Sequence, residues 1–204
     1  MRDVILAAYL TGYKDPQRRT RWPRDTRMLE PLLDSTPAVV FADQIRAPYV
    51  VRVPSGRYVY FDRWRHVAKY LRENDDIRFA FAVDSTDVVM LNDPFPHMEP
   101  GKLYCGSEPQ VLGCEWMHYH HRPMAHWLKE NVDRVLLNCG LVGADRETLL
   151  RLTSRMTQER HGAVMDMGAF NRIAYEEFEV VTGSLVHTLY KAEQTESDAW
   201  FKHK

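Results

Sequence analysis

Apolar positions come first as an unbroken run, Val4-Ile-Leu-Ala-Ala-Tyr9, the pattern of a strand covered on both faces. It empties into a polar, turn-rich stretch over residues 11–21. Asp25 is placed to cap a short helix through Met28, Leu29, Leu32 and Leu33. A second strand is predicted over Ala38–Ala42, and an extended piece over Tyr49–Val53 that stops at Pro54-Ser55-Gly56. Asp62 is the expected cap of the next helix, whose inner stripe is Trp64, Val67, Ala68 and Leu71, with Arg63, Arg65, Lys69 and Arg72 flanking it. The run Arg78-Phe-Ala-Phe-Ala-Val83 predicts a buried strand leading into Asp84-Ser85-Thr86-Asp87 and out through Val88-Val89-Met90.

Beyond a proline-punctuated loop the pattern predicts a strand near Leu103–Ser107 and another at Val135–Asn138, which turns at Gly140. Helices are expected from about Asp145 to Arg160 and from about Asp166 to Glu177. Short extended pieces close the chain at Val180-Val181, Leu185–Thr188 and Trp200–Lys204. The segment from Glu115 to Trp127 is rich in histidine and aromatic residues and has no clear period. Strands alternate with helices, which makes this an α/β chain. Neither a repeat nor a linker divides it, so one domain over 1–204 is expected.

Composition then narrows the function. The chain has 204 residues, with 27 Lys plus Arg against 28 Asp plus Glu, a formal charge of -1. That balance does not indicate a nucleic-acid partner. No apolar run approaches the roughly 18–20 residues of a membrane span. The apolar stretch of the N-terminus reads as a first strand rather than a signal peptide. Cys105, Cys114 and Cys139 are an odd number without C-x-x-C spacing, which fits reduced thiols and a cytoplasmic location.

Asp84 and Asp87 carry the most chemistry. They stand three positions apart where an apolar strand ends, and ligands of open α/β sheets bind at that edge. Carboxylates there suit Mg²⁺ or Mn²⁺ together with phosphate oxygens, although Asp-Ser-Thr-Asp is also favourable turn chemistry.

The segment AVDSTDVVML resembles the metal-binding D-x-D segment of GT-A-fold glycosyltransferases, in the D-S-x-D-V-V form of collagen and lysine-hydroxylase-associated transferase domains. Leu137-Asn138-Cys139-Gly140-Leu141-Val142-Gly143 is similar to their L-N-S-G-x-x-G segment, and Asp166-Met-Gly-Ala-Phe170-Asn171 to their later acidic helix start. Order and spacing match as well. The resemblance implies a single GT-A, Rossmann-like domain with a mixed, mostly parallel sheet flanked by helices, and a metal-dependent hexosyltransferase. Its donor would be a nucleotide sugar, with UDP expected as the nucleotide, and its acceptor is unknown.

By the same resemblance, Asp84 and Asp87 hold Mn²⁺ or Mg²⁺ with His203, or alternatively His187, as a further ligand. Lys204, or Lys191 beside the alternative histidine, would meet phosphate. Ala8, Tyr9, Leu10 and Thr11 would line the nucleotide pocket, and Ser85, Thr86 and Gly140 the donor. Arg18 or Arg19 would reach the diphosphate, and Arg65 would aim at the donor. Asn138 and Asp166 would act near the reaction centre. Each has a plainer reading: the arginines as a solvated face, Arg65 in a surface ion pair, Asp166 as a helix cap. His118, His120, His121 and His126 match no closed zinc pattern, and Trp116 and Trp127 are expected in the core. The resemblance leans towards retention of configuration. Two competing classes are a nucleotidyltransferase of the same general fold and a non-catalytic nucleotide-sugar-binding domain.

Overall fold

The computed structural model describes residues 1–56, 58–159, 165–189 and 198–203. Lys191, Lys204 and the expected helix end at Arg160 lie outside the described residues. In chain order, β1 (Arg2–Tyr9) is followed by a 3₁₀ turn over Thr26–Leu29, helix α1 (Glu30–Leu33), β2 (Ala38–Ala42), β3 (Val50–Arg52) and α2 (Val59–Glu73). Next come β4 (Ile77–Asp84), β5 (Val88–Met90), β6 (Lys102–Val111), α3 (Glu115–His120) and α4 (Ala125–Glu130). The remainder is β7 (Val135–Asp145), α5 (Arg146–Gln158), α6 (Met167–Glu177), β8 (Glu179–Val181), β9 (His187–Leu189) and β10 (Phe201–His203).

Seven strands form the central sheet in the order β3-β2-β1-β4-β7-β6-β8, and a three-stranded sheet has the order β5-β10-β9. All pairings in the large sheet are parallel except those of β7, which runs against both β4 and β6. The fold is therefore α/β with a mixed, mostly parallel sheet.

The unbroken apolar runs follow from burial on both faces. Val4 and Leu6 of β1 join the core beneath α2, α5 and α6, with Trp64, Leu149 and Phe170. Ile5, Ala7 and Tyr9 point the other way and pack with Leu29, Leu32, Phe81 and Phe201. Successive strand residues face opposite sides, so a strand with a core on each side must be apolar throughout. Among the described residues no helix is long and apolar enough to cross a membrane.

Three expectations change. Asp62 does not precede its helix: α2 starts at Val59, and the Asp62 carboxylate reaches back to accept the Tyr58 N–H at 2.9 Å. Asn138–Gly140 is not a turn between strands but part of the continuous β7. The register against β6 does slip there, since Cys105 pairs Val142 while Gly106 already pairs Asn138. That bulge moves Cys139, Gly140 and Leu141 out of the ladder with β6, a common device beside functional sites. The segment from Glu115 to Trp127 resolves into the short helices α3 and α4, packed on their own apolar cluster of Leu112, Met117, Leu128 and Leu136.

Candidate functional site

Parallel β1 and β4 end together, as the pairing of Ala8 with Asp84 shows. Antiparallel β7 brings its first half to the same edge, because Leu141 pairs Val83. A cleft of about 650 Å³ opens at this edge. Its walls include Ala8, Tyr9, Arg18, Asp84, Ser85, Thr86, Asp87, Asn138, Gly140, Asp166 and His203, so most of the residues selected from the sequence do converge.

His203 arrives through strand pairing. Strand β10 runs antiparallel to β5, with His203 opposite Val88, the residue after Asp87. Phe201, two positions earlier and on the same face, packs against Phe81 with ring centroids 4.7 Å apart and anchors β10 to the core. His203 Nε2 then lies 3.7 Å from Asp84 Oδ2 and 3.8 Å from Asp87 Oδ1. Those gaps are too long for hydrogen bonds but shorter than twice a metal–oxygen distance of about 2.1 Å. One ligand atom from each of the three residues falls within 4.8 Å of the others, so the group could hold a metal ion. Two carboxylates and an imidazole form a donor set suited to borderline and hard divalent cations.

Close packing around this group explains Gly140. A Cβ there would stand 2.4 Å from Asp84 Oδ2 and 2.8 Å from His203 Cε1. The Gly140 N–H donates to Asn138 Oδ1 at 2.6 Å, and the Asn138 amide donates in turn to Glu108. Asn138 is thereby held at both ends of its side chain.

Arg63 organises the opposite side. Its Nη1 donates to Asp84 Oδ1 at 2.7 Å, Nη2 donates to Asp166 Oδ2 and to the Cys139 carbonyl at 2.8 Å each, and Nε donates to Asp166 Oδ2 at 3.1 Å. Asp166 Oδ2 also accepts from Trp64 Nε1 at 2.8 Å. Asp166 is 3% exposed and its side chain makes no cap bond to α6, so its carboxylate serves to fix Arg63 rather than a helix end.

Burial opposes charge on these groups, yet their neighbours prevail. Desolvation disfavours the Arg63 cation, but Asp166 and Asp84 raise its pKa overall. Desolvation also works against the Asp84 carboxylate, but His203 and Arg63 bring it down to about 2. Burial opposes protonation of His203, and the facing Asp84 and Asp87 raise its pKa nonetheless. Among the described residues Glu108 forms no ion pair, and burial pushes its carboxyl up.

Three sequence-selected residues, Arg65, Thr11 and His187, fall outside this arrangement. Arg65 is exposed and pairs with Asp62 at 3.4 Å; the helical offset that buries Trp64 turns Arg63, not Arg65, into the cleft. Thr11 is buried, and its N–H, like that of Gly12, donates to Asp43 at 2.9 Å, which ties the loop after β1 to the end of β2. His187 lies behind His203, ring centroids 6.0 Å apart, where burial and then the His203 charge lower its pKa to about 4; it is not in the Asp84, Asp87 and His203 group. Lys204 lies outside the described residues. Of the histidine-rich segment, His121 is buried and its Nδ1 accepts the Gly168 N–H at 3.3 Å. Trp127 packs on the small apolar cluster, and Trp116 does so while also lining the cleft.

Sequence reasoning missed Arg63, Tyr60, Asp15, Trp22 and Glu108, all of which line the cleft. Asp15 was legible as a turn former, and its Oδ1 accepts the backbone N–H groups of Gln17 and Arg18 as well as the Tyr60 hydroxyl. No motif marks Glu108.

No protein-family model matches the chain, and no curated protein matches it. The geometry of the cleft is accordingly the basis for a functional reading.

Proposed function

We propose that this protein is a metal-dependent glycosyltransferase that moves a hexose from a nucleotide-diphosphate sugar, with UDP as the preferred nucleotide, to an acceptor hydroxyl. The observation that carries this reading is the convergence of Asp84, Asp87 and His203 from separate segments at the mouth of a cleft large enough for such a donor. Asp84, Asp87 and His203 would hold Mn²⁺ or Mg²⁺, which when bound supplies positive charge against the departing diphosphate. Arg18 would add a bidentate donor for phosphate from the loop after β1. Ala8 and Tyr9 form the wall on which the nucleoside rests, and Tyr9 is fixed there because its hydroxyl donates to the Pro23 carbonyl at 2.5 Å.

Arg63, pinned by Asp166 and Trp64, presents a guanidinium whose position does not depend on the ligand. Such preorganised charge costs no rearrangement during reaction. Asn138 and Gly140 shape the floor beside the transferred sugar.

Incubating the protein with a panel of nucleotide sugars and Mn²⁺, and reading nucleoside diphosphate release, tests the reading directly. Release from a UDP-sugar is expected, with loss of release in Asp87→Asn at unchanged circular dichroism. Absence of release from every donor, or full release by Asp87→Asn, overturns it. Pyrophosphate release from a nucleoside triphosphate and a sugar phosphate would assign a nucleotidyltransferase instead.

A further inference from the structure

The rim of the cleft carries more positive charge than a donor confined inside it can use. Between Tyr13 and Arg27 the chain places Lys14, Arg18, Arg19, Arg21, Arg24 and Arg27, all exposed. Arg27 pairs with Asp25 at 2.7 Å, and the other acid, Asp15, is buried and taken up by backbone N–H groups and Tyr60. Among the described residues, the side chains of Lys14, Arg18, Arg19, Arg21 and Arg24 therefore meet no carboxylate. Of these five, only Arg18 lines the cleft. A ligand held wholly inside cannot reach the rest.

The loop is built rather than loose. Lys14 and Arg21 face each other in an antiparallel bridge, Asp15 N–H donates to the Thr20 carbonyl at 2.7 Å, and Arg19 N–H donates to the Asp15 carbonyl at 2.7 Å. Arg19 sits at φ 56°, a left-handed backbone that a non-glycine residue adopts only when the surroundings impose it. The Arg18 guanidinium lies 4.9 Å from the centre of the Trp22 ring, and Trp22 and Trp116 both line the cleft. The backbone that carries these cations is thus fixed, and one of them, Arg18, stacks on an aromatic ring that lines the cleft.

We propose that the acceptor is a nucleic-acid strand, whose phosphates lie along Lys14, Arg18, Arg19, Arg21 and Arg24 while the nucleotide to be glycosylated enters the cleft. This inference rests on the glycosyl-transfer reading for its chemistry and on the rim alone for binding. Arginine outnumbers lysine four to one in the set, and its planar fork matches phosphate oxygens. Aromatic faces beside a basic track are the means by which bases of a strand are held, and enzymes acting on a base draw it out of its stack. A lipid surface fits less well, since among the described residues none of the large exposed apolar side chains falls between Tyr13 and Arg27. The whole-chain charge of -1 averages this face away. In the transfer, a hydroxyl oxygen of the nucleotide, carried by a ribose 2′ position or a hydroxylated base, forms a bond to the anomeric carbon as the bond from that carbon to the diphosphate oxygen breaks. The bonding pair leaves with the diphosphate, and the hydroxyl proton passes to bulk water.

The test is fluorescence anisotropy of a labelled 20-nucleotide single strand and its duplex with the full chain, without donor, over a salt series. Micromolar binding at 50 mM salt is expected, falling steeply as salt rises. Lys14→Ala/Arg21→Ala/Arg24→Ala, which spares every cleft residue, is expected to weaken it at least ~10-fold and to flatten the salt slope by about 2. In that variant, Mn²⁺-dependent UDP binding by calorimetry stays unchanged. Oligonucleotide binding that is absent at 100 µM protein, indifferent to the triple substitution, or matched by polyglutamate or by phosphatidylserine vesicles overturns the proposal. Because these readouts use no donor, failure of the donor reading shows separately, as loss of Mn²⁺-dependent UDP binding in the unaltered protein.

Discussion

Arg63 joins Asp84 and Asp166, giving Nη1 to the first at 2.7 Å and Nε with Nη2 to the second at 3.1 and 2.8 Å. The two carboxylates differ in kind, for the Asp84 side chain is 43% exposed and that of Asp166 only 4%. One faces the solvent of the cleft and the other is sealed behind the arginine.

Removing the sealed partner exposes the cost of that arrangement. Asp166→Ala leaves the Arg63 guanidinium buried with half its counter-charge and the Trp64 indole N–H without an acceptor. A loss of about 3–5 kcal/mol in unfolding free energy is expected, measured by urea denaturation. Asp62→Ala removes the pair between the buried Asp62 carboxylate and the exposed Arg65 together with the bond from the Tyr58 N–H, and a smaller loss of about 1–2 kcal/mol is expected there.

The two candidate imidazoles are separable by calorimetry. His203→Ala is expected to weaken Mn²⁺ binding by about 10–100-fold. His187→Gln, which keeps an acceptor for the Ser107 N–H, is expected to leave the affinity within about twofold. Equal losses in the two variants would place both rings on the ion.

Gly140→Ala forces a methyl group against Asp84 and His203, at separations no real Cβ contact shows. A stability loss of about 1–3 kcal/mol is expected, accompanied by weaker Mn²⁺ binding. Gly101, at φ +85° with nothing within 4 Å of its would-be Cβ, is the contrasting case. Gly101→Ala is expected to cost about 1 kcal/mol through the backbone alone and to leave Mn²⁺ affinity untouched. Thermal unfolding with and without Mn²⁺ distinguishes the two.

Acid sensitivity is expected from His121. Burial lowers its pKa to about 4, from about 6.5 in an unfolded chain, so the unfolded state takes up the proton first. The stabilisation is complete above pH 6.5 and is lost as pH falls from there towards 4. His121→Asn, which cannot titrate, is expected to lose about 2–3 kcal/mol less than the unaltered protein between pH 7.5 and 4.5. Denaturation at both pH values measures the difference.

Much of the scaffold was legible because burial on two faces writes itself into composition. The β1 and β4 runs were read as buried strands, and the helix expected from about Asp145 starts at Arg146, with the Asp145 carboxylate accepting the Glu147 and Thr148 N–H groups as its cap. Asp84 and Asp87 were legible as a carboxylate pair at a strand end, and His203 only through resemblance; nothing local in Phe201-Lys202-His203 announces a pairing with β5. The choice of Arg65 over Arg63 failed for a physical reason. On α2 both residues flank the apolar stripe, and the partners that mark Arg63 as the inward one, Asp84, the Cys139 carbonyl and Asp166, stand on other segments of the chain. The β7 bulge was hidden similarly, since a register slip belongs to two strands and a sequence shows one at a time.

The pairing of β10 with β5 also sets an order of events during folding. Its partners are separated by more than half the chain, so closing that ladder carries a large loop entropy and is expected in the late stages. Until it closes, Asp84 and Asp87 are present without their imidazole. Under the proposed reading, capture of a cation by all three residues would then report the closing of the ladder between β5 and β10, two strands far apart in the chain.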